Sequence, residues 1–555
     1  MKVSDLLVRC LENEGVRYVF GIPGEEIEDL LFSLQKSSIR FIPTRHEQGA
    51  AFMADAWGRL TGKAGVCLAT LGPGATNLMT GVADANLDKS PVVAITGQAG
   101  LKRLHKESHQ YLDIVGMFRP ITKWNVGVAD PDSVPEVVRK AFKVAESEKP
   151  GATHIQLPED VARMESEGGK PIPDVTVRRP DPDVQALHDA IKMLKRSRRP
   201  LILAGNGALR KPVSDQLTDF VQKHNIPVVS TFMGKGAVSD RSPQSLMTVG
   251  SGLRDIVMEA FEKSDLVIAV GYDIAEYSPD RWNPKNDKTI IHIDFTSAEV
   301  YSHYQPAVEI VADISATFRE LHRLFGRSGT VFDGAWYRSV RRGILEDIRS
   351  YDLKDGESFT IPGVLNLLRA VMKDEDLMIS DVGSHKMWIS RNFPVYSPNG
   401  CLVSNGLASM GFALPAAVAA SLLDPGRRVV AAMGDGGFLM NSQELETAKR
   451  MKLAFTTVIF NDNDYGLISW KQRMDTGHST GTRLTNPDFK KYAESFGIPG
   501  YRPSNLMELK QQLFHAVRSR ELCLVEVRVD PAVNLKLTAK LKKLKRPKPH
   551  KGSRS

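Results

Sequence analysis

The sequence predicts an α/β protein built of three doubly wound parallel-sheet domains, and three observations carry that expectation. Short continuous apolar runs recur along the chain, among them GVCLAT from Gly65, PVVAIT from Pro91, PLILA from Pro200, DLVIAV from Asp265, VVAAM from Val429 and FTTVIF from Phe455. Runs of strand length that are apolar at every position, and not at alternate ones, belong to strands buried on both faces, as in a parallel sheet covered by helices. Helical stretches separate these runs, which is the alternation that parallel sheets require. Finally, 555 residues hold about three domains at roughly 150–200 residues each. Boundaries are expected at 1–165, 185–330 and 358–532, with a basic, disordered tail over 536–555. Residues 165–184, rich in Pro, Gly and charge, read as a linker, and 327–357 as a charged helical linker.

Composition narrows the class of protein. With 42% hydrophobic and 25% charged residues, the chain is of the soluble globular kind. No uncharged apolar run approaches the ~18 residues of a membrane span, and the opening MKVSDLLVRCLENEG carries charges throughout and has no signal-peptide core. A cytoplasmic protein without membrane association is expected. Cys10, Cys67, Cys401 and Cys523 lie far apart with no CxxC spacing, which argues against both a zinc site and a disulfide framework. The net charge of +8 is a property of one end. From Lys536 onward there are nine Lys or Arg and no acid, so the rest of the chain stands at −1. Such a tail can touch nucleic acid or anionic lipid without sequence preference, but a solvated tail is the simpler reading. No specific nucleic-acid partner is expected.

In chain order, Ser4 is placed to cap a first helix ending near Gly15. A strand follows over VRYVFGIPG, then helices over about Glu26 to Leu34, Gln48 to Leu60 and Ala75 to Ala85. Ligands of such sheets lie beyond the carboxyl ends of the strands, where Arg45-His46-Glu47 and Gly72-Pro73-Gly74 both fall. By itself Glu47 is a favourable carboxylate in the first turn of a helix. Lys106 to Trp124 is too polar at its start for a core strand and reads as a loop, on which His109 is solvated. In the middle of the chain GNGA, GKGA and GYD invite a dinucleotide reading, yet no complete G-x-G-x-x-G opens a helix there. The strand DLMISD ends at Gly383-Ser384-His385. Met410 precedes a very apolar helix and packs as core filler.

The most informative stretch is Gly434 to Leu467. VVAAM reads as a buried strand, and the glycines of Gly434-Asp435-Gly436-Gly437 are expected to let the backbone turn into a helix beginning near Asn441. Main-chain N–H groups at such a turn attract phosphate. The next strand, FTTVIF, ends in Asn461-Asp462-Asn463-Asp464-Tyr465-Gly466, so two strand ends set Asp435 beside Asp462. Two carboxylates with carbonyl and diphosphate oxygens suit a small hard cation. A pair of ordinary surface turns is the bland alternative.

GDG followed at this separation by an asparagine-rich strand end resembles the signature of thiamine-diphosphate enzymes. The resemblance implies thiamine diphosphate and Mg2+ as cofactors, with the metal held by Asp435, Asp462 and the main-chain carbonyl of Asp464. Many relatives have Asn where this chain has Asp462; the added charge should tighten cation binding. RHEQGA resembles the segment whose Glu, here Glu47, is the catalytic carboxylate that hydrogen-bonds the cofactor's aminopyrimidine. GPGATN supplies Pro73 and Asn77 to the cofactor site, and Gly383, Ser384 and His385 lie near the diphosphate with Gly434, Gly436, Gly437, Tyr465, Gly466 and Leu467. The resemblance also implies that Met410 wedges between the two cofactor rings.

Lys106 to Trp124 resembles the loop that brings a glutamine, here Gln110, towards the substrate in acetolactate synthases. Trp470 and Gln472 are expected to line the substrate pocket. The central segment GYDIAEYSPDRWN replaces an Arg- and Asp-rich stretch of the FAD-binding enzymes and resembles the FAD-independent, catabolic acetolactate synthases, which makes FAD doubtful. The implied reaction is the decarboxylative condensation of two pyruvates into 2-acetolactate. Glu47 of one subunit would serve the diphosphate seat of its partner, which implies a homodimer or homotetramer and leaves a regulatory subunit open. A sister 2-keto acid decarboxylase or carboligase, a pyruvate oxidase, and a non-catalytic regulatory relative are the alternatives.

Overall fold

A computed structural model describes residues 1–175, 177–250 and 254–544. It contains three six-stranded sheets, parallel throughout. The first holds β1 (Tyr18–Gly21), β2 (Arg40–Pro43), β3 (Gly65–Ala69), β4 (Val92–Gln98), β5 (Trp124–Gly127) and β6 (Ala152–Pro158), in the order β2-β1-β3-β4-β6-β5. The second holds β7 (Pro200–Ala204), β8 (Val228–Ser230), β9 (Ser245–Thr248), β10 (Leu266–Val270), β11 (Thr289–Asp294) and β12 (Val308–Val311), ordered β12-β11-β10-β7-β8-β9. The third holds β13 (Leu377–Ser380), β14 (Cys401–Val403), β15 (Val429–Gly434), β16 (Thr456–Asn461), β17 (Gly500–Tyr501) and β18 (Cys523–Arg528), ordered β14-β13-β15-β16-β18-β17. The first and third sheets therefore repeat one topology. The central sheet has the 3-2-1-4-5-6 order of doubly wound nucleotide-binding domains.

The central strands of each sheet, β3, β4, β7, β10 and β16 among them, are buried at every residue, as their continuous apolar runs require. Outer domains meet through small residues. Helix Glu47–Thr61 packs on helix Pro73–Leu87, where a Cβ on Gly81 would lie 2.5 Å from that of Ala51, and on helix Ala413–Leu423, with Phe52 edge-on to Phe412 at 5.6 Å. A buried ionic knot fastens the same contact. Arg59 binds Asp55 and Asp88 and donates to the carbonyl of Val403 at 2.8 Å, while Asp88 accepts the N–H of Asn405 at 3.0 Å.

Several local expectations are corrected. Ser4 does not cap the first helix, which spans Val3–Asn13; it lies buried inside it and accepts a hydrogen bond from the Ser33 hydroxyl at 3.0 Å. The helix after β15 spans Asp435–Asn441, so it starts at the aspartate and ends where it was expected to begin. None of Gly434, Gly436 or Gly437 adopts a positive φ; they admit close neighbours instead. A Cβ at Gly436 would sit 2.8 Å from Tyr465, and one at Gly437 2.5 Å from an Asp381 carboxylate oxygen.

The basic end is corrected too. Ala532–Lys542 is a helix with Val533, Leu537 and Leu541 buried. These apolar residues recur every fourth position and form one face, which the overall charge of the segment concealed. Trp388 donates its indole N–H to Asn534 at 2.7 Å and Trp470 donates its own to the Thr538 hydroxyl at 2.8 Å. The rest of the basic run, 545–555, lies outside the described residues. Leu537→Ala should cost about 2–5 kcal/mol, the usual range for emptying a packed leucine site; urea melts of the two proteins measure it. Among the described residues no helix is long and apolar enough to cross a membrane, and all four cysteines are buried and unpaired.

Candidate active site

The third sheet reverses its strand order between β13 and β15, and three helices start at the carboxyl ends of β13, β15 and β16: Ser384–Asn392, Asp435–Asn441 and Gly466–Thr476. A topological switch point with converging helix N-termini is an anion seat, since the first N–H groups of each helix lack partners and the helix dipoles favour negative charge. The predicted residues of this half gather there. Gly434 pairs with Phe460 across β15 and β16, which brings Asp435 and Asp462 to adjacent strand ends. His385 lies against Gly383 and Gly434 and stacks on Phe460 at 6.0 Å. Its ring is buried, which holds it neutral with a pKa pushed down to about 3, and its Nε2 has no hydrogen-bond partner among the described residues. Ser384 approaches Gly466, and Gly437 lies near the Met410 methyl.

The acids of this seat crowd one another. Asp435 is 2% exposed; its Oδ2 accepts from the Asn486 amide at 2.6 Å and its Oδ1 from the Gly436 N–H at 2.9 Å. Burial first, then repulsion from Asp435 and Asp464, pushes Asp462 up to about 7. Asp464 is buried with an unpartnered Oδ1. No group of three or more His, Cys, Asp or Glu side chains poised for a metal occurs among the described residues. A cation here would draw on the Asp435 and Asp462 carboxylates and the main-chain carbonyl of Asp464, and would take its remaining oxygen ligands from a diphosphate. An unpartnered carboxylate oxygen, a mutually repelling acid pair and an orphaned histidine nitrogen fit a cation bound with a phosphate group.

A second group of predicted residues gathers at the first sheet. The Glu47 carboxylate, 8% exposed, accepts from the Asn77 amide at 3.0 Å. His46 caps the helix that follows, its Nδ1 accepting from the Gln48 N–H at 3.1 Å. Gly72 has φ 53°, a conformation open mainly to glycine, and a Cβ there would lie 2.8 Å from the carbonyl oxygen of Gln110. The turn before Pro73 and the Gln110 loop are thus in contact, with Gln110 exposed. No hydrogen bond among the described residues joins Glu47 to Asp435, Asp462 or His385.

Other sequence expectations place differently. Trp470 turns beneath the C-terminal helix and packs in the hydrophobic core of the third domain. Gln472 accepts from the Thr480 N–H at 2.9 Å. His109 is exposed, as a loop histidine should be. Asp381 escaped notice: fully buried, it accepts the N–H of Gly411 at 2.9 Å and of Phe412 at 3.2 Å, fixing the turn that carries Met410. Burial pushes it up to about 7. Its place at the end of an apolar strand, just ahead of Gly383, was the available signal. Asn486 had none, because only folding brings it to Asp435.

At the central sheet, Gly205-Asn206-Gly207 follows β7 and Gly271-Tyr272-Asp273 follows β10, at the switch point where a nucleotide would lie. There the Glu276 carboxylate accepts from the Asn206 N–H at 3.0 Å and from the Thr231 hydroxyl at 2.5 Å. Burial pushes it up to about 8. The chain's own side chain thus uses a main-chain donor that a nucleotide phosphate would take.

Comparison with known proteins matches three family models in order: the N-terminal TPP binding domain of thiamine pyrophosphate enzymes over residues 1–117, their central domain over 187–321, and their C-terminal TPP binding domain over 381–527. An acetolactate synthase of Bacillus subtilis is 35% identical over 551 residues, covering 97% of this chain and 94% of its own. A catabolic acetolactate synthase of Raoultella terrigena is 37% identical over 543 residues, covering 95% of each. A probable acetolactate synthase large subunit of Methanocaldococcus jannaschii is 35% identical, covering 96% of this chain and 92% of its own.

Proposed function

Because the chain belongs to the thiamine pyrophosphate enzymes, with acetolactate synthases as full-length relatives, we propose that it condenses two pyruvates into 2-acetolactate with release of carbon dioxide. The observation that carries the reading is similarity to acetolactate synthases over 95–97% of the chain, with Glu47, Asp435 and Asp462 all present. Thiamine diphosphate, when bound, supplies the electron sink that decarboxylation of a 2-keto acid needs. The protein's part is binding, orientation and one proton. Asp435, Asp462 and the Asp464 carbonyl would hold Mg2+, and the three helix N-termini with Ser384 and His385 would take the diphosphate. Met410, on a turn fixed by Asp381, would pack against the bound cofactor. Glu47 would hold a proton towards the aminopyrimidine when the cofactor is bound, and Gln110 would orient the acceptor 2-keto acid.

The resemblance implies that Glu47 of one copy serves the diphosphate seat of another, which supports a homodimer or a dimer of dimers. The Glu276 contacts support a flavin-free central domain, of the FAD-independent catabolic kind. Four buried, unpaired cysteines suit a reducing cytoplasm. The test is product analysis with pyruvate, thiamine diphosphate and Mg2+, alongside an absorbance spectrum. Acetolactate from a colourless protein is the expected result. Acetaldehyde or acetate with carbon dioxide would move the reading to a sister decarboxylase or an oxidase, and a flavin spectrum would overturn the FAD-independent assignment.

A further inference from the structure

Glu444 opens the helix Glu444–Arg450, a few residues beyond the helix that carries Asp435. Its side chain is fully buried and pairs with no Lys, Arg or His among the described residues. It crosses from the third domain to the first, where Oε1 accepts the backbone N–H of Arg45 at 2.9 Å and of His46 at 3.1 Å, while Oε2 accepts the Thr447 hydroxyl at 2.6 Å. Helix Glu47–Thr61 lies directly on this carboxylate: a Cβ at Gly49 would meet Oε1 at 2.8 Å.

Burying a carboxylate without a cation is costly, and an apolar side chain would fill the same space more cheaply. What a carboxylate provides is one acceptor for two successive N–H groups, in charge-assisted bonds stronger than neutral ones. Those N–H groups belong to the two residues immediately ahead of Glu47. His46 closes the turn from the other side by accepting from Gln48. The loop between β2 and the helix is thereby held at 45, 46 and 48, and the residue left with its side chain directed elsewhere is Glu47.

We propose that Glu444 is a positioning residue for Glu47: its carboxylate fixes the Arg45-His46 turn so that the Glu47 carboxyl is presented in one orientation to the cofactor's aminopyrimidine. The inference rests on the catalytic reading of Glu47 above. It also ties each chain's diphosphate seat, which Asp435 opens, to the acid that the same chain lends to its partner.

The test compares Glu444→Gln, Thr447→Val and Glu47→Gln as cofactor-saturated holoenzymes. Each is followed by exchange of the thiazolium C2 proton in D2O, by kcat and KM for pyruvate, by the cofactor Kd and by thermal melting. Glu444→Gln keeps the volume but takes the charge out of the bonds to the Arg45 and His46 N–H groups and sets an N–H2 against the Thr447 hydroxyl, which now donates to Oε2. C2 exchange and kcat should fall together by about 10- to 100-fold, as small misplacements of a catalytic group do, with KM and cofactor Kd within about threefold. Thr447→Val, which leaves the carboxylate but removes one of its donors, should slow exchange by a smaller factor and lower the melting temperature by only a few degrees. Exchange at the wild-type rate in Glu444→Gln overturns the proposal, as does a loss of kcat that follows only cofactor affinity or melting. If Glu444→Gln does not fold, Thr447→Val decides: exchange slowed at a temperature well below the melting transition of both proteins supports the role, unaltered exchange removes it. Wild-type exchange in Glu47→Gln would instead remove the reading of Glu47 itself, whereas a loss there with none in Glu444→Gln removes only the role of Glu444.

Discussion

Glu47→Gln should lower turnover by about 10²- to 10⁴-fold, the usual contribution of a positioned general acid or base, while leaving cofactor binding within a few-fold of wild type. The substitution preserves shape, and the amide oxygen can still accept from Asn77, whose bond to the carboxylate is 3.0 Å long. What it removes is the capacity to give and take a proton at the ring nitrogen. The fold should tolerate it, because the helix that begins at Glu47 is capped by His46 and held from outside by Glu444. Steady-state rates with pyruvate, together with a fluorescence titration of thiamine diphosphate at saturating Mg2+, separate the two effects. Full activity in the variant would refute the assigned role, and loss of cofactor binding in proportion to rate would make Glu47 a binding group only.

How much of this was legible in the sequence follows from how local each signal is. Strands buried on both faces announce themselves as unbroken apolar runs, so β3, β4, β7, β10, β15 and β16 stand out. Edge strands such as β2 and β12, with exposed positions in their burial patterns, have no such run and did not. The glycines after β15 read as a turn because glycine favours turns, but here tertiary contacts with Tyr465 and Asp381 require them inside a helix. Around the site, Asp435, Asp462, His385 and Met410 could be found because each sits in its own contiguous motif. Asp381 acts on Gly411, 30 residues away, and Glu444 on Arg45, 399 residues away. Such roles arise from domain packing, and no spacing in the chain encodes them. The C-terminal helix was hidden for another reason: its basic surface dominates the composition, although three apolar residues at every fourth position are enough to dock it.

Asp435→Ala should abolish retention of the cofactor, weakening Mg2+-dependent binding by at least about 100-fold, since even partners outside the ligand shell of a metal are worth 10- to 100-fold. The physical reason lies in what the seat looks like without a cation. Asp435, Asp462 and Asp464 stand close enough that burial and mutual repulsion push Asp462 up to about 7, well above an ordinary aspartate. A group whose pKa rises on folding gives stability that is full below its unfolded pKa and is lost as pH climbs towards the folded value. In the cation-free protein the three acids therefore weaken the fold between about pH 4 and pH 7, and a bound cation would reverse that by replacing the proton. Added Mg2+ and thiamine diphosphate should raise the melting temperature more at pH 8 than at pH 6. Asp435→Ala should lose the increment at both. Asp462→Asn keeps an oxygen donor while removing one charge, so it should bind Mg2+ more weakly and recover activity at high Mg2+. Its melting increment should depend less on pH, because Asp435, which burial also pushes up, is then the raised acid that remains. If the increment in wild type is the same at both pH values, the cation does not compete with a proton on Asp462.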